Sequence, residues 1–417
     1  MSPLRGSHGF LIPTQRLYAG LNNFAPAALQ SCKSNNIRCM PESYILGIET
    51  SCDETAAAVI GNGERLLSNV VSSQIATHQP YGGVVPELAS REHPRAIVPV
   101  VRQALAEAGK NYESIDAIAV TQGPGLAGAL LVGISYAKAL AFALEKPLIT
   151  VNHLEGHIHA VLLEEKQKGN FQIDFPLLAL VVSGGHTHLF LAEQREHGWS
   201  YVNIGRTRDD AAGEAYDKVA KLLGLGYPGG PVIDALARHG NPRAVKFGAS
   251  QIKHSNRGTP KAEQTPYDFS FSGIKTAVLR YVELEGMRES VIARQQALAG
   301  IGKPTTEIVL KHCDKKTLDL VASFQRAVVD DLVGKTLQAA EERDARTLFV
   351  TGGVAANSEL RERFTLEAAK GGLPVYFPSR KLSTDNAAMI AAAAFPKLRA
   401  GDFAGADFSA EASLALR

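Results

Sequence analysis

Cysteine is scarce in this sequence of 417 residues, and tryptophan occurs only once. The four cysteines are too few and too scattered for a disulfide framework, and none forms a CxxC pair: Cys32, Cys39, Cys52 and Cys313. Charge of one sign is also lacking, since 44 Lys and Arg stand against 42 Asp and Glu. That balance excludes a globally basic surface for nucleic acid but allows a local basic face.

A long uninterrupted hydrophobic run is absent as well. The longest uncharged stretch extends from Ala117 to Ala137, and the glycine-proline sequence at 121–125 interrupts any spanning helix there. The hydrophobic fraction of 45% is nevertheless ample for packed cores, which excludes a disordered chain. We therefore expect a globular chain with no membrane insertion and, at ~150 residues per domain, roughly two to three compact units.

Acidic residues are missing from the first 41 positions, which carry four Lys or Arg and four serines. An acid-free segment that contains arginine and serine is typical of an organelle transit peptide. A disordered tail without a targeting role is the alternative. We set residues 1–43 apart as a leader that does not belong to the fold.

The remaining chain repeats one pattern of strands and turns. Apolar runs flank a polar turn at 44–60, and further apolar runs flank the Ser-Gly-Gly-His-Thr turn at 183–187. Two such hairpins, each followed by alternating helices and strands, predict a duplicated α/β unit with ligand-binding turns at the strand ends. Residues 240–320 differ: they are polar, weakly periodic and, over 241–320, hold 13 Lys or Arg against 8 Asp or Glu. We expect a basic insert there.

His153 and His157 have a spacing typical of metal ligands. At i and i+4 of a helix they lie about 40° apart, so both imidazoles face one point. Glu155 is about 200° from His153 on such a helix, whereas zincin proteases carry their Glu directly after the first His. A protease is therefore disfavoured, and two polar surface histidines are the alternative to a metal site.

Two glycine turns, at 183–187 and 351–357, offer backbone N–H groups that can hold a phosphate or an acyl oxygen. A tight hairpin that needs glycine for its backbone is the alternative for the first turn. Neither turn continues into Gly-Lys-Ser/Thr or forms GxGxxG, so a P-loop and a dinucleotide fold are disfavoured.

Acidic residues cluster at 209–217, where Asp210, Glu214 and Asp217 would share one helix face. A core-facing stripe of carboxylates is costly unless it binds hydroxyls, amines or a metal, although acids at a helix start also complement the dipole. Asp385, in a capping sequence before the last helix, is likewise free to ligate a metal.

Ten strings in this order, from about residue 44 to 396, resemble the tRNA N6-adenosine threonylcarbamoyltransferase family, formerly the O-sialoglycoprotein endopeptidase family. They are Gly47-Ile-Glu-Thr-Ser-Cys-Asp-Glu-Thr55, Gly82-Gly-Val-Val-Pro-Glu-Leu-Ala-Ser-Arg91, Gly123-Pro-Gly-Leu126, His153-Leu-Glu-Gly-His157, Val182-Ser-Gly-Gly-His-Thr187, Asp209-Asp-Ala-Ala-Gly-Glu-Ala-Tyr-Asp-Lys218, Tyr227-Pro-Gly-Gly-Pro231, Phe269-Ser-Phe-Ser-Gly-Ile-Lys275, Thr351-Gly-Gly-Val-Ala-Ala-Asn357 and Ser383-Thr-Asp-Asn386.

This resemblance implies an α/β fold of the actin-like (ASKHA) type, with two RNase H-like lobes and a cleft between them. The first lobe would comprise residues 44–150 and the second 151–390, including the basic insert, while 391–417 would return to the first lobe. Together with the leader, the resemblance is to the mitochondrial member, which implies a location in the matrix.

The resemblance also implies a site. One divalent metal ion, Fe or Zn, would be bound by His153, His157 and Asp385. The substrate-binding residues would be Val181, Val182, Ser183, Gly184, Gly185, Asp217, Gly230, Asp234 and Asn357. Archaeal and cytosolic members have a metal-contacting Tyr where this chain has Val181, as bacterial-type members do, which makes the identity of the metal less certain. Glu54, at a hairpin tip, and Ser183 are the candidate catalytic residues.

The implied reaction transfers a threonylcarbamoyl group from threonylcarbamoyl-AMP to N6 of the adenosine 3′ of the anticodon, position 37, in mitochondrial tRNAs that read ANN codons. A separate synthetase would supply the adenylate, the chain would form a homodimer, and the basic insert would contact the tRNA backbone. A phosphotransferase of the same fold and a non-catalytic nucleotide-binding module are the alternatives. The phosphotransferase would be expected to show an Asp-Gly-Thr type of first turn, where this sequence has Glu49-Thr-Ser.

Overall fold

A computed structural model describes residues 42–169, 171–196, 198–247, 265–301, 304–405 and 407–417. Residues 42–404 and 409–417 belong to one compact unit. Nearly all of the predicted leader lies outside the described residues.

The first sheet has the strand order β3-β2-β1-β4-β5. Its strands are β1 (Tyr44–Glu49), β2 (Glu54–Gly61), β3 (Arg65–Ser73), β4 (Ala117–Gly123) and β5 (Leu148–Asn152). The first three strands form antiparallel hairpins, whereas β4 and β5 are added in parallel. Strands β1, β2 and β4 are almost wholly buried because their sequences are nearly continuous apolar runs.

The second sheet repeats this topology with the order β8-β7-β6-β9-β10. Its strands are β6 (Leu177–Val182), β7 (Thr187–Arg195), β8 (Gly198–Arg206), β9 (Thr347–Thr351) and β10 (Val375–Tyr376). Again the first three strands are antiparallel and the last two are added in parallel. The matching orders confirm the predicted duplication and the fold of two RNase H-like lobes.

The described helices connect and cover these sheets. They are α1 (Ile75–His78), α2 (Pro86–Glu107), α3 (Ala127–Leu144), α4 (His153–Lys168), α5 (Ala212–Leu222), α6 (Gly229–Ala237), α7 (Ser272–Leu284), α8 (Arg288–Leu298), α9 (Thr306–Lys311), α10 (Lys315–Glu342), α11 (Ser358–Lys370), α12 (Arg380–Ser383) and α13 (Ala387–Ala400). Short 3-10 turns lie at Gln79–Tyr81 and Gly353–Ala356.

Helices α4 and α13 determine where the site forms. Helix α13 packs closely on the first sheet because its contacting residues are mostly alanines. At Gly47 of β1 there is no space for a side chain, since an added Cβ would lie 2.4 Å from the Ala387 carbonyl oxygen. Helix α4 contacts α13 and also buries Leu154 and Ile158 in a cluster with Ala179 of the second sheet. The residues at the N-terminus of α4 and just before α13 therefore lie between the two sheets.

The structure corrects the description of residues 240–320. The part described there contains α7, α8, α9 and the start of α10, helices that the weak periodicity of the sequence did not reveal. Between 265 and 320 the described Lys and Arg do not outnumber Asp and Glu. The basic excess is divided between the described residues 241–247, which carry Arg243 and Lys246, and residues outside the described part, so the predicted tRNA-contacting insert remains a prediction.

Helix α3 is the one described helix that is long and apolar enough to cross a bilayer by length and composition, with a mean hydropathy of 1.7 and 33% of it buried. The glycine-proline turn at 121–125 precedes this helix rather than interrupting it, contrary to the sequence argument. Helix α3 packs against α2 and β4. The absence of membrane insertion stays a prediction.

Candidate metal and substrate site

The N-terminus of α4 brings three predicted ligands together. The Asn152 side chain caps this helix by accepting the Leu154 N–H at 2.9 Å, so His153 begins the first turn. Asp385, before α13, places its Oδ1 3.2 Å from His157 Nε2 and 3.6 Å from His153 Nε2. One potential ligand atom from each of the three lies within 4.8 Å of the others.

The cluster fits a metal ion. Both imidazoles are buried, with ring centroids 4.7 Å apart and planes inclined by 80°. His157 Nδ1 has no hydrogen-bond partner among the described residues, and His157 Nε2 faces Asp385 Oδ1 at 3.2 Å. A buried polar atom without a partner is costly, and a metal bound at a His157 nitrogen would remove that cost. Two imidazoles and one carboxylate are a donor set that proteins use for Fe and Zn.

Glu49 is a member of this site that the sequence analysis did not identify. It ends β1, is fully buried, and places Oε2 3.2 Å from His153 Nδ1. The same oxygen accepts the Thr121 hydroxyl at 2.6 Å, while Ser51 Oγ lies 3.1 Å from His153 Nδ1. A carboxylate at the second nitrogen of a ligating histidine fixes its tautomer and orientation.

The charges of these groups stabilise one another. Although burial opposes protonation, Asp385 and Glu49 raise the pKa of His153 to about 9. Burial lowers the pKa of His157 and so favours its neutral form. Burial disfavours ionisation of Asp385, but the charge of His153 and the hydrogen bond of His157 hold the pKa of Asp385 well below its usual range. The buried Glu49 and the partly buried Asp385 thus face the charge of His153, and a divalent cation would balance the two carboxylates.

Glu54 begins β2 and lies on the side of the site that faces Asp385. Its Oε1 accepts the Ser73 hydroxyl at 3.2 Å. Burial, followed by the charges of Asp53 and Asp385, raises the pKa of Glu54 well above its usual value. A raised carboxyl pKa is suited to proton transfer near neutrality, but nothing among the described contacts assigns Glu54 that role.

The Ser183–Gly185 turn has the geometry of an open cradle. Gly184 and Gly185 are exposed, have no left-handed backbone, and an added Cβ on either would meet nothing within 4 Å. Neither the backbone nor the packing of the chain requires glycine here, which leaves room for a ligand against the amides. The Ser183 side chain instead shapes the turn, because its Oγ accepts the His186 N–H at 3.2 Å.

Three other predicted substrate residues lie on helix α5, on helix α6 and at the start of α11. Asp217 accepts the Gly229 N–H at 2.7 Å, and burial raises the pKa of Asp217 to about 6. Asp234 accepts the hydroxyl of Ser358 at 2.7 Å. Asn357 donates to Gln325 at 2.7 Å and caps α11. An added Cβ on Gly230, like one on Gly184 or Gly185, would meet nothing within 4 Å.

The Val181 and Val182 side chains are fully buried in clusters on opposite faces of the second sheet, which leaves only their backbone for contact with a substrate. Their role as substrate-binding residues stays a prediction.

One sequence interpretation needs correction. The acidic stripe does not exist, because α5 begins only at Ala212 and Asp210 pairs with Lys218 at 2.6 Å. Glu214 pairs with the same lysine at 2.9 Å.

Glu155 confirms the argument against a protease in another way. Its carboxylate pairs with Lys397 at 3.1 Å, on a side of α4 away from the histidine cluster. No water-activating carboxylate therefore stands in the place that a zincin requires.

Two lobes of RNase H-like topology, with a glycine cradle beside a His-His-Asp cluster, define an actin-like protein of the ASKHA class. A model of the family "tRNA N6-adenosine threonylcarbamoyltransferase" matches residues 65–392. The chain therefore belongs to this family of tRNA-modifying transferases.

Individual relatives agree with that assignment. The tRNA N6-adenosine threonylcarbamoyltransferase of Koribacter versatilis is 68% identical over 91% of this chain and 100% of its own length. That of Symbiobacterium thermophilum is 50% identical over 90% and 98%. Among solved structures, the activator of the 2-hydroxyisocaproyl-CoA dehydratase from Clostridium difficile with bound ADPNP covers 87% of this chain and 98% of its own, at 12% identity and a TM-score of 0.46. A likeness of that strength supports no further argument.

Proposed function

We propose that this chain transfers the threonylcarbamoyl group from threonylcarbamoyl-AMP to N6 of adenosine 37 in mitochondrial tRNAs that read ANN codons. The observation that carries the proposal is the contact between the two halves of the site. The His186 ring, which follows the Ser183–Gly185 turn, has its centroid 5.8 Å from that of His153. A mixed anhydride could therefore place its phosphate at the glycine amides and its carbamoyl group at the cluster.

In this reaction, N6 of the adenosine attacks the carbamoyl carbon and forms a new C–N bond. The bond from that carbon to the phosphate oxygen breaks, AMP leaves with the bonding electrons, and one N6 proton is released. An exocyclic aromatic amine is a weak nucleophile, so positioning and charge stabilisation must supply most of the rate. The amides of Gly184 and Gly185 would hold the phosphate and stabilise the departing anion.

The metal site would hold one divalent ion, Fe or Zn, between His153, His157 and Asp385. When bound there, the ion supplies a Lewis acid for the carbamoyl oxygen. Asp385 is the most exposed ligand, at 20%, and so borders the cleft in which the substrate must lie. Glu54 would accept the N6 proton, because burial and the charges of Asp53 and Asp385 raise its pKa and make its carboxylate a stronger base than usual.

The proposal also covers the source of the adenylate, the oligomeric state and the cellular location. The adenylate would come from a separate synthetase, the chain would act as a homodimer, and the acid-free leader would direct it to the mitochondrial matrix. The relatives named above are bacterial proteins, so they bear on activity and not on the compartment. The cellular location of a fluorescent protein fused to residues 1–43 tests mitochondrial targeting. Sedimentation of the full chain tests whether it forms a dimer.

A transfer assay tests the reaction itself. The full chain is combined with a synthetase that makes the adenylate, labelled threonine, bicarbonate, ATP and a transcript of an ANN-reading tRNA. Label should enter the wild-type tRNA, and the nucleoside recovered from position 37 should carry it. No transfer, with adenylate and tRNA both bound, would instead identify a nucleotide-binding module. Transfer of the γ-phosphoryl group of ATP to an acceptor, with release of ADP, would identify a phosphotransferase.

A further inference from the structure

A cavity of about 760 Å³ lies beside the first turn of α4, where Leu154 follows His153, and is separate from the glycine cradle. Strands β7 and β8 form its floor, and Leu154 of α4 forms one side. Residues 412–416 of the C-terminal tail form another wall. Of the donor site described above, only His186 lines this cavity.

The cavity and the donor cradle lie on different faces of one sheet. Leu180 and Val182 of β6 pack into the cluster that contains α5 and α6, which also carry Asp217, Gly230 and Asp234. Ala179 and Val181 pack into the opposite cluster, with α4. In the transfer, the departing AMP and the attacking adenosine both lie next to the carbamoyl carbon, and this arrangement gives each nucleotide its own face of the sheet.

His186 connects the two sides. Its ring centroid is 5.8 Å from that of His153 and 5.8 Å from that of His188, which lines the cavity. A ligand group that extends from the cavity past His186 would therefore lie next to His153 in the candidate metal site. The glycine turn reaches the same place from the other face of the sheet.

The lining suits a purine nucleotide. The rings of His188 and Phe190 are stacked, with centroids 5.6 Å apart and planes inclined by 12°. Asn203 Nδ2 lies 2.8 Å from His188 Nδ1, which holds that ring in place. The exposed Arg206 provides positive charge, while Arg208 donates to Asp268 at 2.6 Å. Aromatic faces stack on bases, and arginine binds the phosphates that flank them.

The C-terminal tail makes the cavity a preformed site. Glu411 N–H donates to the Gln122 carbonyl at 3.0 Å, and Gly125 N–H donates to the Ala412 carbonyl at 3.2 Å. The Leu414 carbonyl accepts from Asn152, the cap of α4, at 3.3 Å. Leu416 is buried in the cluster formed by α4 and the second sheet. These contacts fasten the wall to the first lobe, to the ligand-bearing helix and to the second lobe.

We propose that this cavity binds the acceptor nucleotide of the tRNA, with its base against the His188–Phe190 pair and a neighbouring phosphate at Arg206. The inference rests on the proposed function and adds to it a separate acceptor pocket. It involves binding only, since the bonds made and broken are those of the transfer already given.

Charge reversal at Arg206 tests the pocket. Arg206→Glu should raise the KM for tRNA about tenfold and lower the slope of log affinity against log salt by about 1, while the adenylate Kd stays within about twofold. Asn203→Ala should also raise the tRNA KM. Arg195→Glu is the matched control, because Arg195 is exposed on β7, pairs with Glu193 and does not line the cavity.

The outcomes separate this inference from the function on which it rests. An active wild type whose Arg206→Glu and Asn203→Ala variants keep the tRNA KM of the control would overturn the pocket and leave the transfer intact. A parallel loss of adenylate affinity would overturn it too, since the cavity would then hold the donor. A wild type that transfers nothing would remove the proposed function and the pocket together.

Photocrosslinking locates the acceptor directly. A tRNA that carries 8-azidoadenosine at position 37 is irradiated with the full chain, and the attached peptides are identified by mass spectrometry. The pocket predicts attachment within 186–206 or 412–416. Attachment confined to α5 and α6 would contradict it.

Discussion

Glu49 Oε2 lies 3.2 Å from His153 Nδ1 in a fully buried position at the end of β1. The other nitrogen of the same ring faces Asp385 at 3.6 Å. Glu49 therefore contacts the Nδ1 side of the imidazole, while the Nε2 side faces Asp385 in the candidate metal site. This geometry gives His153 a defined tautomer, with Nδ1 as the donor and Nε2 available as a ligand.

Replacing Glu49 should weaken metal binding without removing a ligand. Glu49→Gln should lower the affinity for Zn²⁺ about 10- to 100-fold, the usual cost of losing such an outer carboxylate. Metal content and isothermal titration of the full chain provide the measurement. Glu155→Gln is the control, because Glu155 lies on the same helix as His153 but pairs with Lys397 at 3.1 Å. Equal affinities for the two variants would show that Glu49 does not orient the ligand.

The stability of the metal-free protein should depend on pH through His153. Burial opposes its charge, but Asp385 and Glu49 raise its folded-state pKa to about 9, above the unfolded value near 6.5. The resulting stabilisation is complete below about pH 6.5 and is lost as the pH rises through about 9, by at most about 3 kcal/mol.

Urea unfolding in a chelator, from pH 6 to 10, measures this dependence. The wild type should lose stability over that range, and His153→Gln should lose much less. A wild-type curve parallel to that of the variant would mean that His153 does not carry the proton in the metal-free protein.

Gly184 and Gly185 should matter for ligand binding and hardly at all for folding. An added methyl group meets nothing within 4 Å at either position, so Gly184→Ala and Gly185→Ala should keep the wild-type Tm within a few degrees. The methyl group would instead occupy the ligand's space and raise the adenylate Kd at least tenfold. Gly334→Ala, at an exposed helical glycine with the same open surroundings, should leave that Kd unchanged.

Gly47 should show the opposite behaviour. A Cβ there would lie 2.4 Å from the Ala387 carbonyl oxygen and 2.9 Å from the Ala391 Cβ, which would push α13 away from the first sheet. We expect Gly47→Ala to lower the free energy of unfolding by about 1–3 kcal/mol. Gly83→Ala, where nothing lies within 4 Å, should change it by less than about 0.5 kcal/mol. Chemical unfolding of both variants provides the comparison.

Local signals in the sequence were enough for much of this architecture. The hairpin beginning at Tyr44 and the glycine turn after Val182 could be recognised because apolar runs and turn residues are adjacent in sequence. The spacing of His153 and His157 likewise depends only on the helical period. These features do not require knowledge of which strands are neighbours.

Glu49 could not be recognised in this way, because its role depends on contacts between distant segments. It meets Thr121 only through the parallel pairing of β1 with β4, and it meets His153 only once α4 is placed between the sheets. The supposed acidic stripe failed at a helix boundary, since α5 starts after Asp210. The C-terminal wall of the cavity could not be predicted either, because most of the residues that it contacts lie more than 200 positions away in sequence.

The central claim is that the glycine cradle and the His-His-Asp cluster act on one substrate. A non-reactive adenylate analogue, labelled with ¹³C at the carbamoyl carbon, can be bound to the full chain loaded with Co²⁺, and its NMR relaxation measured. Strong paramagnetic broadening of that carbon, absent in Asp385→Ala and relieved by Gly185→Ala through loss of binding, is the predicted result. A bound analogue whose carbamoyl carbon shows no broadening would place the two halves on different ligands and contradict the account.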